Sequence, residues 1–314
     1  MQRRIVVAIN PSAAFGRASD AGPRTVELLK AAGHEVQPIV APDYARLVDR
    51  AGEAIAVPPD AFIVVGGDGM VHLGANLLAG TGIPLGLVPV GTGNDLALSA
   101  GIARHRVEAA VSQLLGALDH GARSLDTGIA EWAEDGVQHR RRFLGAVSCG
   151  FDAIVNERAN RMRHPKGASR YTIALARELA RLRPIAYRIE WDGGVIEQPG
   201  ALVSVANNRS IGGGMRIVPE ASMTDGLLDL FVVEALGRLE FLRLYPLVFS
   251  GGHASDPRVT ILRTRRARVE AADVVAYADG ERLGPLPIDV TVDPASLEFL
   301  WPPEPEPEPG PDVP

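Results

Sequence analysis

The sequence predicts a two-part fold, in which a parallel α/β unit is followed by a mostly antiparallel β unit. Short apolar runs alternate with amphipathic helical stretches over residues 1–124, which is typical of a parallel sheet covered on both faces. Hairpin signals and alternating runs replace that pattern from Asp126 onward, which indicates antiparallel strands. The last apolar run, at 297–301, is predicted to return to the first unit as an extra strand.

The elements of the first unit follow one another in regular order. Strands are predicted at 4–9, 36–40, 61–65 and 85–88, and helices at 21–32, 42–53, 70–79, 96–100 and 107–118. Gly33, Gly80 and Gly101 stand directly after helical stretches, where glycine commonly ends a helix.

The second unit is predicted mainly from its turns. Glu134-Asp135-Gly136 and Asp192-Gly193-Gly194 read as hairpin turns between alternating runs. Strands are predicted at 142–148, 201–206, 227–233, 259–262, 274–277 and 288–292, with helices at 169–183 and 238–249.

Composition narrows the class of protein. Of the 314 residues, 46% are hydrophobic and 22% are charged, which is ordinary for a globular protein. The net charge is −6, and about −2 once the acidic terminal run is set aside, so nucleic acid is not an expected partner. Cys149 is the single cysteine, so we expect it to be a small buried hydrophobe in a reducing, cytoplasmic environment.

Two glycine-rich loops follow the third and fourth predicted strands. The first is Gly66-Gly67-Asp68-Gly69-Met70 and the second is Gly91-Thr92-Gly93-Asn94-Asp95. The carboxyl ends of parallel strands meet at one edge, where open α/β sheets bind ligands, and helix N-termini there favour anions. The sequence therefore predicts a crevice for a phosphorylated compound, in particular a nucleotide.

Six motifs in a fixed order carry a family resemblance. They are Asn10-Pro11, Gly66-Gly67-Asp68-Gly69, Pro89 to Asp95, Gly150-Phe151-Asp152, Asn207 to Asp229 and Asp279-Gly280-Glu281. Together they resemble the catalytic domain of the diacylglycerol kinase superfamily, especially its small bacterial lipid kinases. Ceramide and sphingosine kinases are more distant relatives. The resemblance covers nearly the whole chain, up to about Trp301.

The resemblance implies a fold. It is a Rossmann-like nucleotide domain, similar to that of NAD kinases and phosphofructokinases, followed by a β-sandwich domain, with the active site in the cleft between them. We therefore expect an ATP-binding domain at 1–124 with a returning strand at 296–301, and a substrate domain at 125–295. Residues 302–314, rich in proline and glutamate, are expected to be a disordered tail.

The resemblance also implies the nucleotide-binding residues. By position they are Asn10, Pro11, Gly66, Gly67, Asp68, Gly69, Met70, Gly91, Thr92, Gly93 and Asn94. Glycines let the backbone approach phosphate oxygens closely, and the family's aspartate, here Asp68, takes part in a Mg²⁺–ATP site. On the residues alone, Asp68 as a helix N-cap stays open as an alternative. Structural capping is also the expected role of Asn94 and Asp95.

The catalytic candidates are Asp68 and Glu281. The resemblance assigns the general base to Glu281, in the tight turn Asp279-Gly280-Glu281, and a carboxylate at a turn tip is suited to accept a proton from a hydroxyl group. This chain departs from the family pattern after the first glycine loop. Met70 stands where a threonine is usual, and His72-Leu73 replaces an Asn-Glu pair.

A second Mg²⁺, with a structural role, is implied in the β unit. By position its ligands are the carboxylate of Asp225 and the carbonyl groups of Ser222 and Leu227, and such oxygen ligands suit Mg²⁺. An Asp-Gly β-turn that binds no metal is the alternative.

A basic cluster precedes the helix predicted at 169–183. Its members are Arg158, Arg161, Arg163, Lys166 and Arg170. It reads either as a solvated helix surface or as a site for anionic lipid headgroups. No apolar run approaches the roughly 18 residues that span a bilayer, so we expect peripheral, reversible adsorption to a membrane.

The expected function is that of an ATP- and Mg²⁺-dependent lipid kinase that phosphorylates a hydroxyl of a diacylglycerol-like lipid. A kinase of a soluble acceptor, such as NAD or a sugar phosphate, is one alternative. A nucleotide-binding regulatory protein with impaired catalysis is another, and a homodimer remains open.

Overall fold

The computed structural model of the chain describes residues 1–10, 20–91, 93–162, 164 and 169–302. The predictions made for Pro11, Thr92, Arg163, Lys166 and the 303–314 part of the tail lie outside these residues.

The first unit is a parallel sheet flanked by helices. Its strands are β1 (Arg4–Ile9), β2 (Glu35–Val40), β3 (Ala61–Gly66) and β4 (Leu85–Pro89), and its helices are α1 (Ala21–Ala31), α2 (Tyr44–Ile55), α3 (Asp68–Leu78), α4 (Asp95–Ser99) and α5 (Val107–His120). The strands pair in the order β4-β3-β1-β2, all in parallel. Every residue of β3 and β4 is buried, as expected for central strands covered on both faces.

The second unit is a β-sandwich whose internal strand pairs are all antiparallel. Its strands are β5 (Arg123–Glu134), β6 (Val137–Phe143), β7 (Ala146–Ser148), β8 (Ile185–Trp191), β9 (Gly194–Ala206), β10 (Leu228–Glu234), β11 (Val259–Thr264), β12 (Arg266–Glu270), β13 (Val275–Ala278), β14 (Glu281–Pro285) and β15 (Ile288–Phe299). Its helices are α6 (Phe151–Arg161), α7 (Ser169–Leu179) and α8 (Arg238–Leu244), followed by 3₁₀ turns at Tyr245–Phe249 and Gly252–Ser255. Both predicted hairpins, β5–β6 and β8–β9, are confirmed.

Two long strands continue from one unit into the other. β5 and β15 pair antiparallel along most of their length, and Phe299 at the end of β15 pairs in parallel with Leu85 of β4. The sequence predicted separate strands at 288–292 and 297–301, and this was wrong. They are one strand with an irregularity between Asp293 and Leu297, where Ala295 donates its N–H to the Asp126 carboxylate at 2.8 Å.

Three further elements differ from the prediction. The strand expected at 142–148 breaks between β6 and β7, leaving Leu144 and Gly145 outside the ladder. Helix α6 was not predicted. The helix expected at 238–249 is α8 followed by a 3₁₀ turn, because Pro246 lacks the N–H that an α-helix needs.

Each unit buries its own apolar core. The first core joins β1, β3 and β4 to the surrounding helices, and it also includes Leu297 and Phe299 of β15. The second core fills the sandwich and includes Cys149, which is fully buried, as predicted. A smaller cluster lies around α6 and α7. Within the part of the chain described, no helix is both long and apolar enough to cross a bilayer.

Candidate active site

The two glycine loops touch each other at the carboxyl ends of β3 and β4. Val90 and Gly91 donate their N–H groups to the carbonyl of Gly66 at 2.9 and 3.2 Å. A Cβ on Gly91 would lie 2.5 Å from the Cα of Gly67, a distance that real Cβ atoms do not reach. The close approach of the loops therefore requires glycine at position 91, and the ligand edge predicted from the sequence is one continuous surface.

Asp68 joins the two loops electrostatically. Its carboxylate accepts the N–H groups of Asn94 and Asp95 at 2.8 and 2.9 Å, so it caps the first turn of α4. The capping alternative is therefore realised, but on α4 rather than on α3, where Asp68 itself is the first residue. Asn94 has φ 59° and binds the Gly91 carbonyl through its side-chain amide at 2.6 Å.

Asp95 extends the contact into the second unit. Its carboxylate accepts the N–H groups of Gly213 and Gly214 at 2.7 and 2.8 Å. Both glycines have positive φ values, 87° and 112°, which allow the two N–H groups to converge on one carboxylate. The run of three glycines at 212–214 is therefore a docking loop for the first unit.

Asp279 connects the turn before β14 to the break between β6 and β7, and it meets one side chain of the first unit. Its carboxylate accepts the N–H groups of Leu144 and Gly145 at 3.0 and 2.8 Å, the two residues freed by the break between β6 and β7. His72 of α3 lies 3.3 Å away through Nδ1. Both side chains are buried, so His72 is a positioning contact across the cleft rather than a residue of an exposed helix face.

The three carboxylates concentrate negative charge in a region shielded from water. Burial, followed by the charges of Asp95 and Asp279, raises the pKa of Asp68 to about 6. A divalent cation bound with a triphosphate would relieve this repulsion. The described residues contain no cluster of three or more His, Cys, Asp or Glu side chains able to hold a metal. Kinase Mg²⁺ sites, however, use one or two carboxylates together with substrate phosphates, and Asp68 fits that role.

The remaining predicted nucleotide residues differ in what they can contact. Gly69 faces open space, and Asn10 lies at the end of β1, donating its N–H to the Val65 carbonyl at 3.2 Å. A Cβ on Gly93 would collide with the Asp68 carboxylate. The side chain of Met70 does not lie where the prediction put it, because it is buried beneath Gly66 in the first core. Only the main chain of Met70 could contact a nucleotide.

Glu281 lies at the rim of the cleft. It is exposed and begins β14, directly after the turn in which Asp279 and Gly280 have φ values of 51° and 84°. Burial and then the charge of Glu281 raise the pKa of Tyr44, which places Glu281 opposite the start of α2. Asp279, whose side chain is buried, anchors the turn that precedes Glu281.

A largely apolar cavity of about 530 Å³ opens beside the carboxylates. Asp68, Asp95 and Asp279 line it where the loops meet, and most of the remaining wall is apolar. The apolar lining includes Phe151 and Val155 of α6, Leu175 of α7, Leu202 of β9, Phe231 of β10 and Phe241 of α8. Asp152 also lines the cavity. Its carboxylate is fully shielded beside the Ser148 hydroxyl and the first residues of α6, and burial raises its pKa.

Comparisons with known proteins agree over most of the chain. Residues 4–129 match the diacylglycerol kinase catalytic domain, and residues 145–301 match the YegS C-terminal NAD kinase beta sandwich-like domain. A diacylglycerol kinase of Mycobacterium tuberculosis is 37% identical over 304 residues, which is 95% of each chain. The chain belongs to the diacylglycerol kinase family.

Three proteins of lower sequence identity are also similar to this chain. A diacylglycerol kinase of Bacillus subtilis is 27% identical over 73% of each chain. The crystal structure of a diacylglycerol kinase from Bacillus anthracis str. Sterne shares the fold, with a TM-score of 0.71 at 20% identity, over 96% of this chain and 98% of that one. Yeast NADH kinase shares it more distantly, with a TM-score of 0.52 at 11% identity, over 95% of this chain and 82% of that one.

The second Mg²⁺ expected at Asp225 does not fit the residues around it. One carboxylate oxygen of Asp225 accepts the Leu227 N–H at 3.0 Å, and the other pairs with the guanidinium group of Arg263. The Ser222 hydroxyl lies 3.2 Å from that of Thr224. The turn therefore resembles the metal-free alternative, with the Asp225 charge already neutralised by Arg263.

The roles of Asp95, His72 and Asp279 at the cleft were missed from the sequence. Asp95 and Asp279 belong to motifs that were recognised, but the sequence carried no signal of their partners. Gly213 and Gly145 lie 118 and 134 residues away from them along the chain.

The contact between the loops leads to a first prediction. Gly91→Ala should lower the free energy of unfolding by about 1–3 kcal/mol, because the added Cβ overpacks against Gly67. Gly69→Ala is the matched control, since its Cβ would meet nothing within 4 Å. Urea unfolding measures both, and equal stability of the two variants would contradict the close approach.

A second prediction concerns pH. The folded-state pKa of Asp68, about 6, exceeds its ordinary value of 3.8, so its contribution to stability is fully present below about pH 4 and is lost as the pH rises through 6. The loss is roughly 3 kcal/mol at most. We expect the stability difference between wild type and Asp68→Ala to fall by up to this amount between pH 4 and 7, measured by urea unfolding. Asp229 has a slope of the same sign, which cancels in this difference, and parallel curves would refute the shift.

Proposed function

We propose that the chain is an ATP- and Mg²⁺-dependent lipid kinase that transfers the γ-phosphoryl group to a hydroxyl of a diacylglycerol-like lipid. The cavity carries this proposal, because its mainly apolar walls meet the three carboxylates at the nucleotide loops. Acyl chains suit such walls, whereas NAD or a sugar phosphate would bring many polar groups that need partners. The diacylglycerol kinase name of the 37% identical Mycobacterium tuberculosis relative supports the same acceptor class.

The nucleotide would lie along the two glycine loops. Gly69 leaves open space at the start of α3, where backbone N–H groups and the helix dipole attract phosphate oxygens. Asp68 would hold the Mg²⁺ that accompanies ATP. When bound, this ion neutralises charge on the transferring phosphoryl group. The contacts of Asp95 with Gly213 and Gly214 would keep the two units aligned for an in-line transfer.

The acceptor hydroxyl would lose its proton to Glu281. This carboxylate is exposed and follows a turn anchored by Asp279, so it is accessible to an acceptor hydroxyl. Asp152 would orient the acceptor within the cavity. Its raised pKa favours a protonated carboxyl, which can donate a hydrogen bond to an ester or hydroxyl oxygen.

Transfer of labelled phosphate from ATP tests the proposal. We expect label in diacylglycerol and none in NAD or sugar phosphates. Glu281→Gln should lower the transfer rate by about 100- to 10,000-fold, because a general base is lost, while calorimetry shows nearly unchanged ATP affinity. Glu197→Gln, on the outer part of β9, is the control and should behave as wild type. Transfer to NAD would favour the soluble acceptor, and ATP binding without any transfer would favour a regulatory protein.

Filling the cavity should weaken the binding of long-chain acceptors more than that of short-chain acceptors. Leu202→Trp places an indole in the lining, so we expect a raised KM for long-chain diacylglycerol, little change with a short-chain analogue, and unchanged ATP affinity. Val195→Trp, at an exposed position of the same strand, is the control. An equal effect on both chain lengths would show that acyl chains do not enter the cavity.

A further inference from the structure

An exposed apolar ridge lies on α8 and the 3₁₀ turn that follows it. Its members, Leu239, Leu242, Leu247 and Phe249, are 72%, 53%, 43% and 50% exposed. Four large apolar side chains within eleven residues form a patch rather than scattered exposure, and such patches mark interaction sites. We call this patch the α8 ridge.

The opposite face of the same segment lines the cavity. Phe241, Leu244, Tyr245 and Val248 occur at the i, i+3, i+4 and i+7 spacing of one helical face, and all four line the cavity. The segment is therefore apolar on both faces. A segment of this kind is normally buried on all sides, in a protein core or in lipid, yet its outer face is exposed to solvent.

A series of aromatic rings connects the cavity to the ridge. Phe151, which is buried, contacts Phe241 with ring centroids 4.8 Å apart, Phe241 stacks on Tyr245 at 5.8 Å, and Tyr245 meets Phe249 at 5.9 Å. The outer end of this series, Phe249, belongs to the ridge. Aromatic packing therefore connects the wall of the cavity to the ridge.

The charges around the ridge are positive. Arg238 and Arg243 of α8 are exposed, and neither forms an ion pair with a carboxylate of the described residues. The acid of α8, Glu240, is occupied, since it pairs with Arg258 at 2.7 Å and accepts the Gly237 N–H at 2.6 Å.

The described members of the basic cluster identified in the sequence, Arg158, Arg161 and Arg170, all have partners within the chain. Arg158 pairs with Glu178, and Arg161 pairs with Glu157. Arg170 lies over the ring of Tyr171, 5.5 Å from its centroid. Three of its members are therefore engaged within the chain, in contrast to Arg238 and Arg243.

We propose that the α8 ridge is the surface with which this protein docks on an anionic lipid bilayer. Leu239, Leu242, Leu247 and Phe249 enter the headgroup and acyl boundary, while Arg238 and Arg243 contact lipid phosphates, as in other interfacial amphipathic segments. Four partly exposed side chains fall well short of the about 800 Å² per partner that a standard protein interface buries, which argues against a second copy. The proposal extends the proposed lipid kinase function, because the ridge joins the membrane to the acceptor cavity.

Binding to vesicles without nucleotide or acceptor tests docking separately from catalysis. The probes are vesicles of phosphatidylcholine with phosphatidylglycerol and vesicles of phosphatidylcholine alone. Leu239→Gln/Leu242→Gln should weaken binding to the mixed vesicles by about tenfold or more, because apolar area is lost from the interface. The control is Val137→Gln/Val195→Gln, two valines of similar exposure on β6 and β9, which should bind as wild type.

The arginines provide a second comparison. Arg238→Gln and Arg243→Gln should each weaken binding to phosphatidylglycerol-containing vesicles by about fivefold, with little effect on phosphatidylcholine vesicles. Arg161→Gln is their control, because Arg161 already has an internal partner. Circular dichroism and melting temperature should match wild type for all variants, since every altered side chain is exposed.

The outcomes decide the proposal. It is overturned if the ridge variants bind mixed vesicles as wild type does, if the valine control loses as much binding, or if Arg161→Gln has the larger effect. It is also overturned if sedimentation shows a dimer that the ridge variants dissociate without a change in vesicle binding, which would assign the ridge to a second copy. Absence of lipid phosphorylation alongside ridge-dependent vesicle binding would reject the proposed function and leave the docking surface in place. Activity on a short-chain, monomeric acceptor should be unchanged in the ridge variants.

Discussion

The cleft depends on one kind of interaction, a buried aspartate that accepts two backbone N–H groups. Asp68 binds the start of α4, Asp95 binds Gly213 and Gly214 of the other unit, and Asp279 binds Leu144 and Gly145. Hydrogen bonds to an ionised acceptor are the strong ones, particularly where water is excluded. The bonds of Asp68 and Asp95 hold the glycine loops against each other and against the β-sandwich. The bonds of Asp279 fix the turn before β14 within the sandwich.

The same arrangement is electrostatically unfavourable unless a positive charge lies close to the carboxylates. Three carboxylates gathered in a shielded space repel one another, and the pKa of Asp68 is raised first by its burial and then by this repulsion. A cation bound together with a nucleotide, as proposed, would relieve this repulsion, so apo stability and ligand affinity would oppose each other at Asp68. Sites that are destabilised in the absence of ligand are common where binding is the function. At Asp225 the guanidinium group of Arg263 already supplies the positive charge.

The two long strands β5 and β15 connect the two units that form the cleft. Because they are continuous between the units, the loops on one side and the turn at Asp279 on the other are carried by one connected sheet. The cavity beside them is closed by α6, α7 and α8 rather than by the sheet alone. Helix α8 faces the cavity on one side and solvent on the other, so the proposed acceptor binding and the proposed membrane contact involve the same small element.

Local patterns in the sequence determined the order of strands and helices in the first unit, the hairpins of the second, and the glycine loops at the carboxyl ends of β3 and β4. Those features rest on periodicity and turn chemistry, which act over a few residues. Only the tertiary structure decided that Met70 lies in the core, that Asp225 pairs with Arg263, and that Asp95 and Asp279 bind backbone groups of distant segments. Backbone N–H groups carry no signature in a sequence, and a break such as that between β6 and β7 becomes visible only when the strands have paired.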